Sequence, residues 1–303
     1  MQSPEDMYVI HRMPSFSEAP VLIHAFTGYV DAGGAVRMMI DHLLEHCEHQ
    51  LVATFDVDAV MDYRARRPVL SYSVDHFTGI DIPAIQLHEL MDSKGTPFLL
   101  LAGPEPDYQW MRFIGAVSGL GTQLGIRLAV AVSGIPWPAP HTRPLGITVH
   151  GSDPDLVRGF RSVVGEVEVP GHMGAMLEFH LAQAGFDSMG ITAQVPHYLS
   201  QFQYPQGAQT LINGLSRVTG LELPVDGLNP LAAQATREIA DQLAGNDEFA
   251  TVVTALEHQY DQTIGAPPGS LMSDEPVPTG DEIAAQLESF LRDLDAGEGK
   301  AEG

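Results

Sequence analysis

The side chains able to do chemistry fall in five short segments of this 303-residue chain. Thr27, Gly28, Asp31 and Gly33 make the first; Asp62, Arg64 and Arg67 the second; Glu105 and Asp107 the third; His141, Thr142 and Arg143 the fourth; His197 stands in the fifth. Guanidinium forks such as Arg64, Arg66 and Arg67 suit bidentate binding of a carboxylate or phosphate, although pairing with the neighbouring acids is the plainer reading. Asp56, Asp58 and Asp62 offer the oxygen ligands a magnesium ion takes, but acids that follow a strand commonly cap the loop, and no metal is expected. His141 and His197 lie in proline-framed segments. There is no Gly-x-Ser-x-Gly elbow and no nucleophile paired with a base, so no catalytic residue is assigned and no cofactor is expected.

The elements that must position these residues alternate along the chain. Val21 to Phe26 is an apolar run of strand length that breaks at Thr27-Gly28, passes Asp31 as an N-cap, and enters a helix carrying Val36, Ile40, Leu43, Leu44 and Cys47 on one face. In open α/β sheets such a turn lies at the carboxyl ends of the strands, where ligands usually sit. The glycine spacing matches neither a dinucleotide fingerprint nor a phosphate-binding loop. Glycines that pack the helix on the sheet and a ligand-binding turn both fit.

Further strands are expected at residues 7–13, at 51–55, antiparallel at 70–74 and 84–90, centrally at 97–103 and 127–133, and at 145–151, 167–169 and 188–195. Residues 56–68 and 138–144 read as loops, the second because of its prolines. Helices follow after Pro104, at 174–184 and at 206–219. Repeated strand-then-helix units predict an α/β fold, with a mixed, largely parallel sheet between two helical layers. If the sheet is parallel at its centre, the five segments meet on one rim.

Charge divides the chain. It carries 39 acidic and 15 basic residues for a formal charge of −24, and 17 of the acids but only 3 of the bases fall in residues 222–303. Such acidity repels phosphate backbones and anionic membranes, so neither nucleic acid nor membrane is expected as a partner. No apolar run reaches the ~18 residues a membrane span needs, and the acidic start is unlike a signal peptide, which points to the cytoplasm. The expected organisation is an α/β domain over 1–221, an acidic helical extension over 222–296 that includes a last helix at 281–294, and a disordered tail over 297–303. Cys47, the one cysteine, reads as a buried small hydrophobe. His42, His46 and His49 have metal-ligand spacing, but within a ~60° sector away from the apolar stripe they read as a solvated face.

The ordered set Phe26-Thr27-Gly28-Tyr29-Val30-Asp31-Ala32-Gly33, Asp62-Tyr63-Arg64-x-x-Arg67-Pro68, Gly103-Pro104-Glu105-Pro106-Asp107, Pro140-His141-Thr142-Arg143-Pro144 and Val195-Pro196-His197-Tyr198-Leu199 resembles the actinobacterial branch of the proteasome assembly chaperone family. The match runs from about residue 20 to 262. The resemblance implies an αβα sandwich similar to the phosphorylase/hydrolase fold of purine nucleoside phosphorylases, a helical C-terminal extension and homo-oligomers. It also implies a role alongside proteasome core-particle subunits, since relatives assist core assembly by holding α-subunits. Some relatives dock through a C-terminal tail of hydrophobic residue, Tyr and any residue; Lys300-Ala301-Glu302-Gly303 does not have that form. A non-enzymatic interaction or assembly factor is the favoured expectation. The other is an enzyme of this fold acting on a small polar or anionic ligand at the strand-end rim.

Overall fold

Four apolar runs become four parallel strands at the centre of one sheet. They are β2 (Val21–Thr27), β7 (Pro97–Pro104), β8 (Leu128–Trp137) and β10 (Asp187–Pro196), all but fully buried along their apolar stretches, as strands covered on both faces must be. Antiparallel strands extend the sheet on both sides: β1 (Tyr8–Ile10), β3 (His49–Phe55) and β6 (Gln86–Met91) beyond β7, and β9 (Ile147–Gly151) beyond β10. The order is β1-β3-β6-β7-β2-β8-β10-β9. The computed structural model describes residues 3–160, 165–244 and 247–265.

Alternation along the strands feeds two cores. Ile23, Val130 and Ile191 face α1 (Ala35–His46) and α5 (Pro205–Thr219), where Val36, Met39, Leu211 and Leu215 cover them. Leu22, Leu99 and Leu101 face the opposite layer, which holds α3 (Trp110–Leu124) and α4 (Met173–Gln183) with Phe113, Val117, Met173 and Leu177. The result is a three-layer αβα sandwich with a mixed, largely parallel sheet, the architecture the strand-helix repeats predict. Truncating any of these fully buried leucines to alanine leaves a cavity costing ~2–5 kcal/mol.

Beyond α5 the chain is helical. In α6 (Asn229–Leu243) the Ala232 carbonyl and Thr236 Oγ1 accept from Gln206 Nε2 of α5 at 3.1 and 3.0 Å, and Ile239 joins the first core. Next comes α7 (Asp247–Gly265). Two compact units divide the chain after Glu257; of the second, residues 258–265 are described, the last turns of α7. The expected helix at 281–294 and tail at 297–303 lie outside the described residues.

Four expectations change. Residues 167–169 are not a strand. Part of the supposed loop at 56–68 is a single helical turn, α2 (Val57–Val60), capped by Asp56 Oδ1 on the Asp58 amide at 3.1 Å. The strand near 70–74 pairs with a partner the pattern did not show, giving a separate hairpin of β4 (Val69–Ser73) and β5 (His76–Asp81). Finally, His42 is buried: Nε2 lies 3.1 Å from the Pro224 carbonyl and its ring stacks on His46 at 4.1 Å, so that position of the presumed solvated face is a contact with the chain leading into α6.

Candidate functional site

All five segments lie at the carboxyl edge of the central strands, where they form separate groups. In the first, β2 ends at Thr27 beside Pro104 of β7, and the Thr27 carbonyl accepts the Glu105 amide at 2.9 Å. Gly28, at φ 145°, lets the chain turn against the Glu105 side chain, whose Cβ and Oε2 would lie 3.4 and 3.5 Å from an added Cβ. Glu105 Oε1 accepts the Met173 amide at 2.7 Å, which places a carboxylate on the amino terminus of α4. Thus Glu105 ties the end of β7 to a helix 68 residues on.

Asp31 acts on α1 from before its start. Its Oδ1 accepts the amides of Val36 at 2.7 Å and Arg37 at 3.4 Å, satisfying two first-turn donors. Burial raises its carboxyl from the usual 3.8 to about 6, against those two amides, which pull it down. Gly33, at φ 67°, sits in a 3-10 turn (Ala32–Gly34) and is held from both sides: its amide donates to the Ser200 carbonyl at 2.7 Å and its carbonyl accepts from the Tyr204 amide at 2.8 Å. A Cβ there would come within 3.0 Å of Tyr204 Cβ and 3.1 Å of Val195 Cγ1. At this position glycine is required by packing.

The second and third segments form one network. Asp107 Oδ2 accepts the Asp62 amide at 2.6 Å and Oδ1 accepts Arg66 Nη2 at 2.5 Å; the same Nη2 also donates to the Glu105 carbonyl at 2.5 Å. Asp62 in turn accepts the Arg64 amide at 2.9 Å and the Tyr108 hydroxyl at 3.0 Å, and these bonds hold its carboxyl below the usual range. The arginine that pairs with the acids is therefore Arg66. The Arg64 and Arg67 side chains make no ion pair among the described residues.

The fourth segment meets α7. Tyr198 Oη accepts the His141 amide at 2.8 Å and lies 2.9 Å from its Nδ1, and burial holds the imidazole below its ordinary value. Thr142 Oγ1 donates to Glu257 Oε1, and Arg143 Nη1 reaches the same oxygen at 3.1 Å. The Phe249 ring packs edge-on to Tyr198 at 5.0 Å. His197 is exposed, and its carbonyl accepts the Ser200 hydroxyl at 2.7 Å.

One cleft of about 500 Å³ opens at the ends of β2 and β7. Thr27 and Gly103 line it together with Arg37 and Asp41 of α1, Arg66, Arg67 and Asp81; of the predicted set it contains Thr27 and Arg67 alone. Sequence reasoning missed Arg37, Tyr108, Tyr198 and Glu257 as members of these groups. Tyr198 was legible in its Pro-His-Tyr frame, whereas Glu257 lies 114 residues from Arg143 with no local signal. Among the described residues no group of three or more histidine, cysteine or acidic side chains is placed to hold a metal ion, and no helix is long and apolar enough to cross a membrane.

A mixed parallel sheet between two helical layers, whose carboxyl edge is closed by acid-arginine loops and by a docked helix, defines a three-layer αβα protein of distinct type. Residues 25–243 match the PAC2 family, and the chain belongs to it. Among solved structures it is similar to Rv2714, a protein of unknown function from Mycobacterium tuberculosis, at 42% identity over 88% of this chain and 94% of that one, with a TM-score of 0.83. A Corynebacterium glutamicum protein of unknown function gives 36% identity, 86% and 98% coverage and a TM-score of 0.82. The proteasome-assembly chaperone homologue Rv2125 of M. tuberculosis gives 25%, 77% and 99%, and 0.71. No match is found among curated proteins.

Proposed function

We propose that this chain is a proteasome-assembly-chaperone-like protein: a cytoplasmic, homo-oligomeric interaction factor that acts without chemistry on core-particle subunits of the proteasome. The observation that carries this reading is membership of the PAC2 family together with the likeness to the assembly chaperone homologue Rv2125. The rim supports it. Asp62, Asp107, Arg66 and Tyr108 bond one another, as do His141 and Tyr198, and Thr142 and Arg143 bond Glu257, an arrangement suited to holding loops and a helix in place. The acidic part of the chain that begins at residue 222 presents the surface a partner meets. Native mass spectrometry of the chain mixed with unassembled core-particle subunits of its own host tests the reading. A defined hetero-complex is expected; a spectrum holding only the separate species contradicts it.

A second reading rests on the cleft. Arg37 and Arg67, with Arg66 already paired to Asp107, border about 500 Å³ at the ends of parallel strands beside the carboxylates of Asp41 and Asp81, a position where a small anionic ligand would meet guanidinium donors. Thermal stabilisation by a carboxylate or phosphate compound that disappears in Arg67→Ala is its expected sign, and equal midpoints with and without every such compound contradict it.

A further inference from the structure

The charges that line the cleft at the ends of β2 and β7 are of both signs, and they balance. Its walls carry three guanidinium groups, Arg37, Arg66 and Arg67, and two carboxylates, Asp41 and Asp81. Arg66 is neutralised by its ion pair with Asp107, which leaves two cations against two anions. None of these four makes an ion pair among the described residues, and all four are exposed. A ligand therefore meets charges that are already hydrated and unpaired, and its binding breaks no bridge within the protein. Arg37 and Asp41 stand one turn apart on α1, while Asp81 stands opposite Val69, two residues on from Arg67. Each wall thus offers one cation and one anion.

That balance narrows the class of ligand. A phosphate or a lone carboxylate meets two guanidinium groups, but also two carboxylates that repel it, within a chain of formal charge −24. A zwitterion has no net charge for that field to repel, and each of its ends finds a counter-charge. Volume narrows the class further. About 500 Å³ lies within the ~300–1,000 Å³ of pockets that take drug-sized ligands, which is room for two or three linked amino acids rather than one. Apolar surface completes the match: Ile40 and Met61 are buried in the wall, while Val69 and Ile82 remain 67% and 50% exposed beside the charges. An apolar side chain of a peptide removes such surface from water.

We infer that this cleft binds a short zwitterionic peptide, its carboxylate taken by Arg37 and Arg67, its ammonium by Asp41 and Asp81, and an apolar side chain by Val69 and Ile82. The inference deepens the ligand reading of the cleft given above and rests on it. Titration calorimetry of the full-length chain with leucyl-leucine, its N-acetyl form, its C-terminal amide and inorganic phosphate tests both. The unmodified dipeptide is expected to bind, and blocking either end to weaken it by ~10-fold or more, the effect of one charge-assisted hydrogen bond. Asp81→Asn is expected to weaken the dipeptide by the same factor and to leave the N-acetyl form unaltered, whereas Arg67→Ala weakens both. Each position is exposed, so the thermal midpoints of the unliganded variants are expected to match the parent. If the N-acetyl form binds as well as the dipeptide, or phosphate alone binds, the peptide is overturned while an anionic ligand stands. An amide that binds as well as the dipeptide overturns both, since no anion is then recognised. Absence of heat with all four compounds also overturns both.

Discussion

The Tyr198 hydroxyl joins two parts of one residue, lying 2.8 Å from the backbone nitrogen of His141 and 2.9 Å from its Nδ1. The amide donates to the phenolic oxygen, and the second bond joins the hydroxyl to Nδ1, with its direction set by the imidazole tautomer. The loop after β8 is thereby fixed to the 3-10 turn after β10, and both brace α7 through Phe249 and Glu257. Tyr198→Phe deletes both bonds and keeps the ring. A loss of ~1–2 kcal/mol in urea unfolding is expected, with faster amide exchange in residues 247–257. Unchanged exchange there would show that this hydroxyl does not secure the helix.

His24 lies in the middle of β2, fully buried, with no hydrogen-bond partner for either ring nitrogen among the described residues. Burial, assisted by His172, pushes its pKa from 6.5 down to about 3. A histidine depressed in the folded state contributes stability that is present above pH 6.5 and lost as pH falls through that value towards 3. His24→Leu removes two unpaired polar atoms. It is expected to be ~1 kcal/mol more stable than the parent at pH 7.5, the gap widening by ~1.4 kcal/mol per pH unit between 6.5 and 3. Chemical denaturation at pH 7.5, 6 and 5 measures the gap; one that stays constant would refute the assignment.

Asp31 has the opposite sign. A carboxyl raised from 3.8 to about 6 holds its proton more tightly when folded, so its contribution is complete below pH 3.8 and is lost as pH rises through 6. Asp31→Asn keeps an oxygen for the Val36 and Arg37 amides and cannot ionise. The variant is expected to gain on the parent between pH 4 and 7 by ~1–2 kcal/mol, the lower end reflecting partial exposure. Thermal midpoints across that range supply the test, and parallel curves would contradict the shift. Asp31→Ala, which loses the cap outright and cannot ionise, is expected to cost ~1 kcal/mol below pH 4 and progressively less as pH rises towards 7.

Gly33→Ala forces a side chain onto a backbone at φ 67° and towards Tyr204 and Val195 at 3.0 and 3.1 Å. A loss of ~1–3 kcal/mol in stability is expected. An unchanged midpoint would mean that the turn between β2 and α1 moves freely.

What could be read from sequence followed from local physics. The central strands were plain because both faces are buried, which makes Val21–Phe26 or Phe98–Leu101 nearly continuous apolar runs, and proline and glycine marked the loops that end them. The β4–β5 hairpin was half-seen because its apolar residues are exposed, so burial did not impose a clean alternation, and β5 carries a bulge. His42 pointed away from the stripe of α1 yet is covered by the chain near Pro224, 182 residues on; no periodicity within the helix reports such a contact. The rim residues were found by type and place, but their grouping depends on long-range partners. Asp62 and Asp107 meet across 45 residues and Arg143 and Glu257 across 114. Only the fold brings them together.

The central claim is action on proteasome core-particle subunits, and the most direct measurement is reconstitution of the core from its separate subunits, with and without this chain, followed by native gel and peptidase activity. Faster or fuller formation of the mature core, with the chain bound to incomplete assemblies and absent from finished ones, is the result the account predicts. Identical rates and yields, with the chain absent from every assembly band, would contradict it.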